Sequence, residues 1–160
     1  MNRFAQRYHV LYRIVIPVLG IIFALLFVFI YLNTNKTDSI LLETQKIEIE
    51  KKQFELFVAE NADDRQRGLS ITESLGKNQG MLFIFEKKDT HSFWMKDMKF
   101  SIDIIWLNEN KEVVFIKENA KPEDFPQNYI PTEQSLYVLE FNEGFVKENN
   151  ISNGYQFHWK

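Results

Sequence analysis

The 160-residue chain contains no cysteine. Disulfide staples, thiolate metal sites, a cysteine nucleophile and a lipidated N-terminal cysteine are therefore excluded. Signature motifs are missing as well. There is no Gly-rich phosphate loop, HExxH, DxDxDG or GxSxG, so kinase, zincin, EF-hand and esterase readings lack the residues their chemistry needs. No acid occurs in the first 32 residues, which hold Arg3, Arg7 and Arg13. All 22 acids follow that stretch, against 16 basic residues, a balance of −6 that argues against a nucleic-acid partner. No internal repeat or low-complexity tract is present, and nothing in the pattern calls for a cofactor.

Ile14 to Leu32 is a run of nineteen uncharged, apolar residues. As a helix rising about 1.5 Å per residue it reaches roughly 28 Å, close to the hydrocarbon thickness of a bilayer. The three arginines before it place residues 1–13 in the cytoplasm by the positive-inside rule, and the rest of the chain outside. A cleaved secretory signal fits less well, because the apolar run is too long and no small-x-small site follows Leu32. The expectation is an anchor over 14–32, a polar tether over 33–45 and one exterior domain over 46–160, with the lipid bilayer as first partner.

The exterior stretch has the spacing of a mainly β domain. Ile47 and Ile49 alternate with charged neighbours, and so do Phe54, Leu56 and Val58 with theirs, which predicts two half-buried strands. Gly80-Met81-Leu82-Phe83-Ile84-Phe85 and Ile102 to Leu107 are apolar without alternation, as in strands buried on both faces. Ser92 to Met95, Val113 to Ile116, Leu136 to Phe141 and Tyr155 to Trp159 complete about eight strands. Between them, Asn61 is placed to cap a short helix, with Asp63 and Asp64 in its first turn and Gly68 to stop it. Glu86 to Asp89 reads as a polar connection, and Ala120 to Pro131, with three prolines, as an irregular surface loop. The fold class is a small barrel or two-sheet sandwich with two or three short helices.

Two acids stand out. Asp103 and Glu140 each interrupt an otherwise apolar strand, and a buried carboxylate needs hydrogen bonds or a counter-charge. As a pair they can divide acid and base roles in a hydrolase. Alternatively, each accepts hydrogen bonds from backbone N–H groups or from Arg67 and fixes a loop. Arg67 can clamp an anionic ligand or an internal carboxylate. Trp94 and Lys96, two apart, can form an aromatic platform beside a charge, or Trp94 can belong to the core. His91, Met95 and Met98 offer one nitrogen and two thioethers, a soft set suited to Cu(I) outside the cytoplasm, while methionine is also an ordinary gap filler.

Taken together, Arg67-Gly68-Leu69, Gly80 to Phe85, Phe93-Trp94-Met95-Lys96, Ile102-Asp103, Tyr137-Val138-Leu139-Glu140 and Gly144 resemble the bacterial and archaeal family called domain of unknown function 192. The resemblance runs from about Ile47 to Trp159. It implies a compact, mostly β domain, commonly exported or membrane-tethered, whose activity has not been assigned. The chain departs from that pattern at Asp97-Met98, where Asn-Thr is usual, at Ser101 in place of Pro, and at Tyr155 in place of Asp. Three readings follow. The first is a non-catalytic, membrane-anchored module that binds a small ligand or an envelope protein; the second is a hydrolase using Asp103 and Glu140; the third is a structural or assembly domain.

Overall fold

The computed structural model describes residues 16–29, 43–49 and 51–159, and the chain divides into two compact units, Met1–Leu41 and Leu42–Lys160. In the first unit, residues 16–29 form a helix, α1, in which every side chain is exposed. No helix among the described residues is long and apolar enough to cross a membrane. Of the expected span over 14–32, positions 14, 15 and 30–32 lie outside the described residues. So does the expected tether as far as residue 42, and the second unit begins its first strand at Thr44 rather than at Lys46.

The second unit is built on six strands: β1 (Thr44–Ile49), β2 (Lys52–Ala59), β3 (Gln79–Asp89), β5 (Ile102–Leu107), β6 (Val113–Ala120) and β8 (Ser135–Asn142). Their order is β1-β2-β3-β8-β5-β6, with β2 and β3 parallel and every other pair antiparallel. A separate two-stranded ribbon pairs β4 (Phe93–Trp94) with β7 (Asn128–Tyr129). The sheet is open, ending on β1 and β6, so the closed barrel is corrected; the unit is mainly β, one six-stranded sheet with a small two-stranded one.

What covers the sheet is irregular chain, short helices and, on one face, the small β4–β7 ribbon. One face packs Leu56, Leu82, Ile105, Leu139 and Phe141 beneath the short helix α3 (Phe145–Glu148) and Phe157. The other face packs Met81, Phe83, Ile104, Trp106 and Val138 beneath Leu69, Leu75, Met95 and Tyr129. All six residues of β5 are buried, and four consecutive residues of β3, Gly80 to Phe83, are too, which explains why both sequences read as uninterrupted apolar runs. Gly80 is there because nothing larger fits: a Cβ at that position would lie 2.6 Å from the Phe141 ring and 2.8 Å from Leu56.

Three sequence expectations shift. β3 continues through Glu86 to Asp89, rejoining β8 at Asp89–Ser135 after an irregularity, so the expected polar connection is strand. The proline-bearing loop contains β7, held by a hydrogen bond from the Tyr129 hydroxyl to Asp124. The expected closing strand over 155–159 is reduced to a single bridge between Glu112 and Gln156.

Candidate functional site

Strand alternation decides the fate of the two acids. Asp103 lies opposite Phe141 and Glu140 opposite Ile104, and residues directly opposite in an antiparallel pair share a face. Asp103 therefore points to the Phe141 side of the sheet and Glu140 to the Met81–Ile104 side. The two carboxyls do not meet in one cleft. The paired-acid arrangement is corrected by the register.

Asp103 is the structural acid. Its Oδ1 accepts from the Asn119 backbone N–H at 2.9 Å and its Oδ2 from the Val146 N–H at 3.0 Å. Val146 is in the first turn of α3, so the carboxylate fastens that helix and the end of β6 to the middle of the sheet. Glu140 is the opposite case. It is 5% exposed, its Oε2 has no hydrogen-bond partner, and burial raises its pKa from the usual 4.5 to about 8. At neutral pH it is a protonated carboxylic acid.

Glu140 lines a cleft of about 410 Å³. The floor and one wall are aromatic: Phe83 and Phe85 come from β3, and Phe93 and Trp94 from β4. Phe93 stands edge-on to Phe83 at 4.9 Å and to Trp106 at 5.6 Å, so its ring is held by both neighbours. His91 stacks on Phe85 at 3.5 Å, and its Nε2 donates towards the Lys87 carbonyl at 3.1 Å. Burial lowers the His91 pKa below its ordinary value.

The opposite wall is α2 (Ala62–Arg67). Asn61 caps it by accepting from the Asp64 N–H at 2.9 Å, and Gly68, at φ 52°, ends it by donating to the Asp64 carbonyl, as the sequence predicts. Arg65 is occupied by structure: it donates to the Ile84 carbonyl at 2.9 Å, lies 3.4 Å from Glu86 and covers the Phe85 ring. Arg67 lies 3.2 Å from Asp64 and reaches neither Asp103 nor Glu140 by a hydrogen bond or ion pair. Across the mouth, Trp94 is 47% exposed, edge-on to Phe125 and within 5.8 Å of the Lys96 ammonium. A second recess of about 340 Å³ adjoins this mouth, sharing Gln66, Arg67, Ser70, Trp94 and Lys96 and adding Asp63 and Asp97.

Four of the five ligand-binding candidates taken from the sequence thus border one space: Arg67, Trp94, Lys96 and Glu140. Asp103 does not. Trp94 lies on the rim, and the core reading of it is corrected. The soft-metal set is split: His91 and Met98 line the cleft, but Met95 is fully buried in the core beneath the sheet. No group of three or more His, Asp or Glu among the described residues is arranged to hold a metal ion. Sequence reasoning did not single out Phe83, Phe85, Phe93, Gln66 or Asn128. Alternation alone would have put Phe83 and Phe85 on one face of β3, whereas Asn128 arrives through a loop that carries no periodic signal.

Comparison with known proteins gives the same fold and a family. A solved structure from Sinorhizobium meliloti 1021, described as "a putative transcription regulator", superposes with a TM-score of 0.66 at 25% identity over 73% of this chain and 92% of that one. A protein of unknown function from Novosphingobium aromaticivorans superposes with a TM-score of 0.64 at 25% identity, over 72% of this chain and 84% of its own. A UPF0127 protein from Thermococcus sibiricus is 31% identical over 105 residues, and the chain spans 64% of that relative's length. The profile of one family, described as "Uncharacterized ACR", matches residues 44–159, which is the whole sheet unit with its cleft. The chain belongs to that family, domain of unknown function 192 (DUF192).

Proposed function

We propose that this chain is a membrane-anchored, extracytoplasmic module that binds a small ligand without transforming it, in the cleft between α2, β3 and the β4–β7 ribbon. The observation that carries the reading is the cleft: about 410 Å³ of concave, aromatic-walled space with a few polar groups converging on it, the usual make-up of a small-molecule site. Gln66, Ser92 and Asn128 line it and spend no side-chain hydrogen bond on the rest of the described residues. The hydrolase alternative is disfavoured because the acid pair it requires is split between the two faces of the sheet. A purely structural domain would have no reason to keep Trp94 and Lys96 on the rim of an open space.

The anchoring half of the proposal is supported by residues 16–29, a helix with every apolar side chain exposed, inside a nineteen-residue apolar run preceded by three arginines and no acid. The description of the Sinorhizobium protein is not extended to this chain, because a balance of −6 after residue 32 opposes a phosphate backbone. Two measurements test the reading. Alkaline phosphatase fused after Lys160 is expected to be active in cells and a fluorescent protein at the same position dark; the reverse pattern overturns the topology. Thermal-shift screening of the full chain in detergent micelles is expected to yield ligands whose stabilisation disappears in Trp94→Ala, since a ligand at a hundred times its Kd stabilises by about 2.7 kcal/mol. Hits that ignore Trp94→Ala overturn the cleft as the site.

A further inference from the structure

Three features inside the cleft narrow what it can hold, granted that it is a ligand site at all. The first is Glu140, which lines the cleft and whose carboxyl hydrogen-bonds to none of the described residues, its Oε2 being buried. Buried polar groups are nearly always satisfied, so a carboxyl left without a protein partner beside a cleft is one that a ligand can supply with a partner. The second is the sign of the lining. Arg65, Arg67 and Lys96 border the cleft, and Glu140 is the only acid among the described residues that line it. Arg65 is engaged by Glu86 and Arg67 by Asp64, but Lys96 makes no ion pair among the described residues and only leans over Trp94. The third is the apolar body of the space, formed by Leu69, Phe83, Phe85, Phe93, Trp94 and Met98.

We propose that the ligand is a small organic acid with an aromatic or branched apolar body, its carboxylate accepting a hydrogen bond from the Glu140 hydroxyl and facing the Lys96 ammonium, its body packed among the Phe and Trp rings. A hydrogen bond from a neutral acid to an anion is short and strong in a water-poor site, and it gives the unpartnered carboxyl a partner. A cationic ligand fits the same space less well, because it would face Lys96 and two guanidinium groups. The neighbours of Glu140 leave the carboxyl neutral: Met81 on β3 and Ile104 on β5 flank it across the sheet, α2 contributes Arg65 and Arg67, the segment after β3 contributes His91 and Lys96, and none of these bonds to it. Desolvation alone raises its pKa, to about 8. Asp63 and Asp97 line the adjoining recess with Lys96.

The test uses the full chain in detergent micelles and three probes of one shape, 3-phenylpropionate, 3-phenylpropionamide and phenethylamine, titrated by calorimetry at several pH values. 3-Phenylpropionate is expected to bind most tightly. Its affinity should fall about tenfold per pH unit once Glu140 ionises, with close to one proton taken up per ligand bound in that range. Glu140→Gln, which keeps a donor and cannot ionise, should abolish the proton uptake and flatten the pH profile. Lys96→Ala should weaken the anion several-fold and leave the amide unchanged. Tighter binding of phenethylamine, or proton uptake that persists in Glu140→Gln, overturns the proposal. Binding of the amide or amine that is lost in Trp94→Ala, with no binding of the acid, ends the organic-acid proposal and leaves the cleft as a ligand site. If none of the three binds at millimolar concentration, the organic-acid proposal falls, and the thermal-shift screen with Trp94→Ala decides the cleft separately.

Discussion

Replacing Glu140 with Gln should make the protein more stable, and increasingly so as the pH rises. In the unfolded chain this carboxyl titrates at its ordinary 4.5, whereas burial holds it protonated in the native state up to about 8. Between those values the native protein carries a proton that the unfolded chain has released. Stability therefore falls with rising pH, by about 1.4 kcal/mol per unit. Across the whole window the loss amounts to roughly 5 kcal/mol, and above about pH 8 it levels off because both states are then ionised. Glutamine has nearly the same shape and does not titrate, so it removes this slope and leaves the other ionisable groups as they were. Urea unfolding of both proteins from about pH 4 to pH 9 should give curves that nearly coincide at the acid end and diverge through neutrality, the variant becoming the more stable. Subtracting one curve from the other cancels the remaining titrations. Parallel curves, or a wild type that gains on the variant with rising pH, would show that Glu140 is solvated or paired and would refute the reasoning.

Other substitutions separate the sheet's structural devices from its cleft. Asp103→Asn replaces a carboxylate that accepts from Asn119 and Val146 with a group that can accept only one of those bonds; it should destabilise by roughly 2 to 3 kcal/mol, read as a lowered urea midpoint, while ligand affinity in the cleft stays unchanged. Gly80→Ala forces a methyl group to within 2.6 Å of Phe141 and should cost about 1 to 3 kcal/mol through overpacking, so a midpoint equal to wild type would contradict the close approach of β3 to β8. Trp94→Ala truncates a half-exposed ring and should change stability by less than about 1 kcal/mol, yet remove the ligand-induced thermal shift; a large loss of stability would return this residue to the core.

Much of the fold was legible because burial leaves a period. β1 and β2 alternate, and β3 and β5 are continuous apolar runs, so their existence and rough limits followed from Ile47, Phe54, Leu82 or Ile105 and their neighbours. Strand order was not legible. β8 inserts between β3 and β5 although about fifty residues separate it from the former, and no local signal distinguishes that arrangement from a barrel. The ribbon of Phe93–Trp94 with Asn128–Tyr129 is two residues long on each side, too short to show any alternation, and exists because its side chains pack on the sheet below. The site divides the same way. Arg67, Trp94, Lys96 and Glu140 were recognisable as residues that need a reason to be where they are. Asp103 and Glu140 looked equivalent because each is one acid in an apolar strand. Only the pairing register shows that one is satisfied by two backbone N–H groups and the other by nothing.

That register has a consequence for how variants of this unit can arise. Phe141 and Glu140 are successive residues, one stacked on Phe145 beneath α3 and the other at the cleft. Were β8 to slide by a single position, a phenyl ring would plug the recess and a carboxyl would be driven among Phe54 and Phe145. Length changes in the chain just before Ser135 are thus far more dangerous than changes of residue type around the cleft mouth. Diversity in length among natural or engineered versions should be scarce between Pro131 and Glu140.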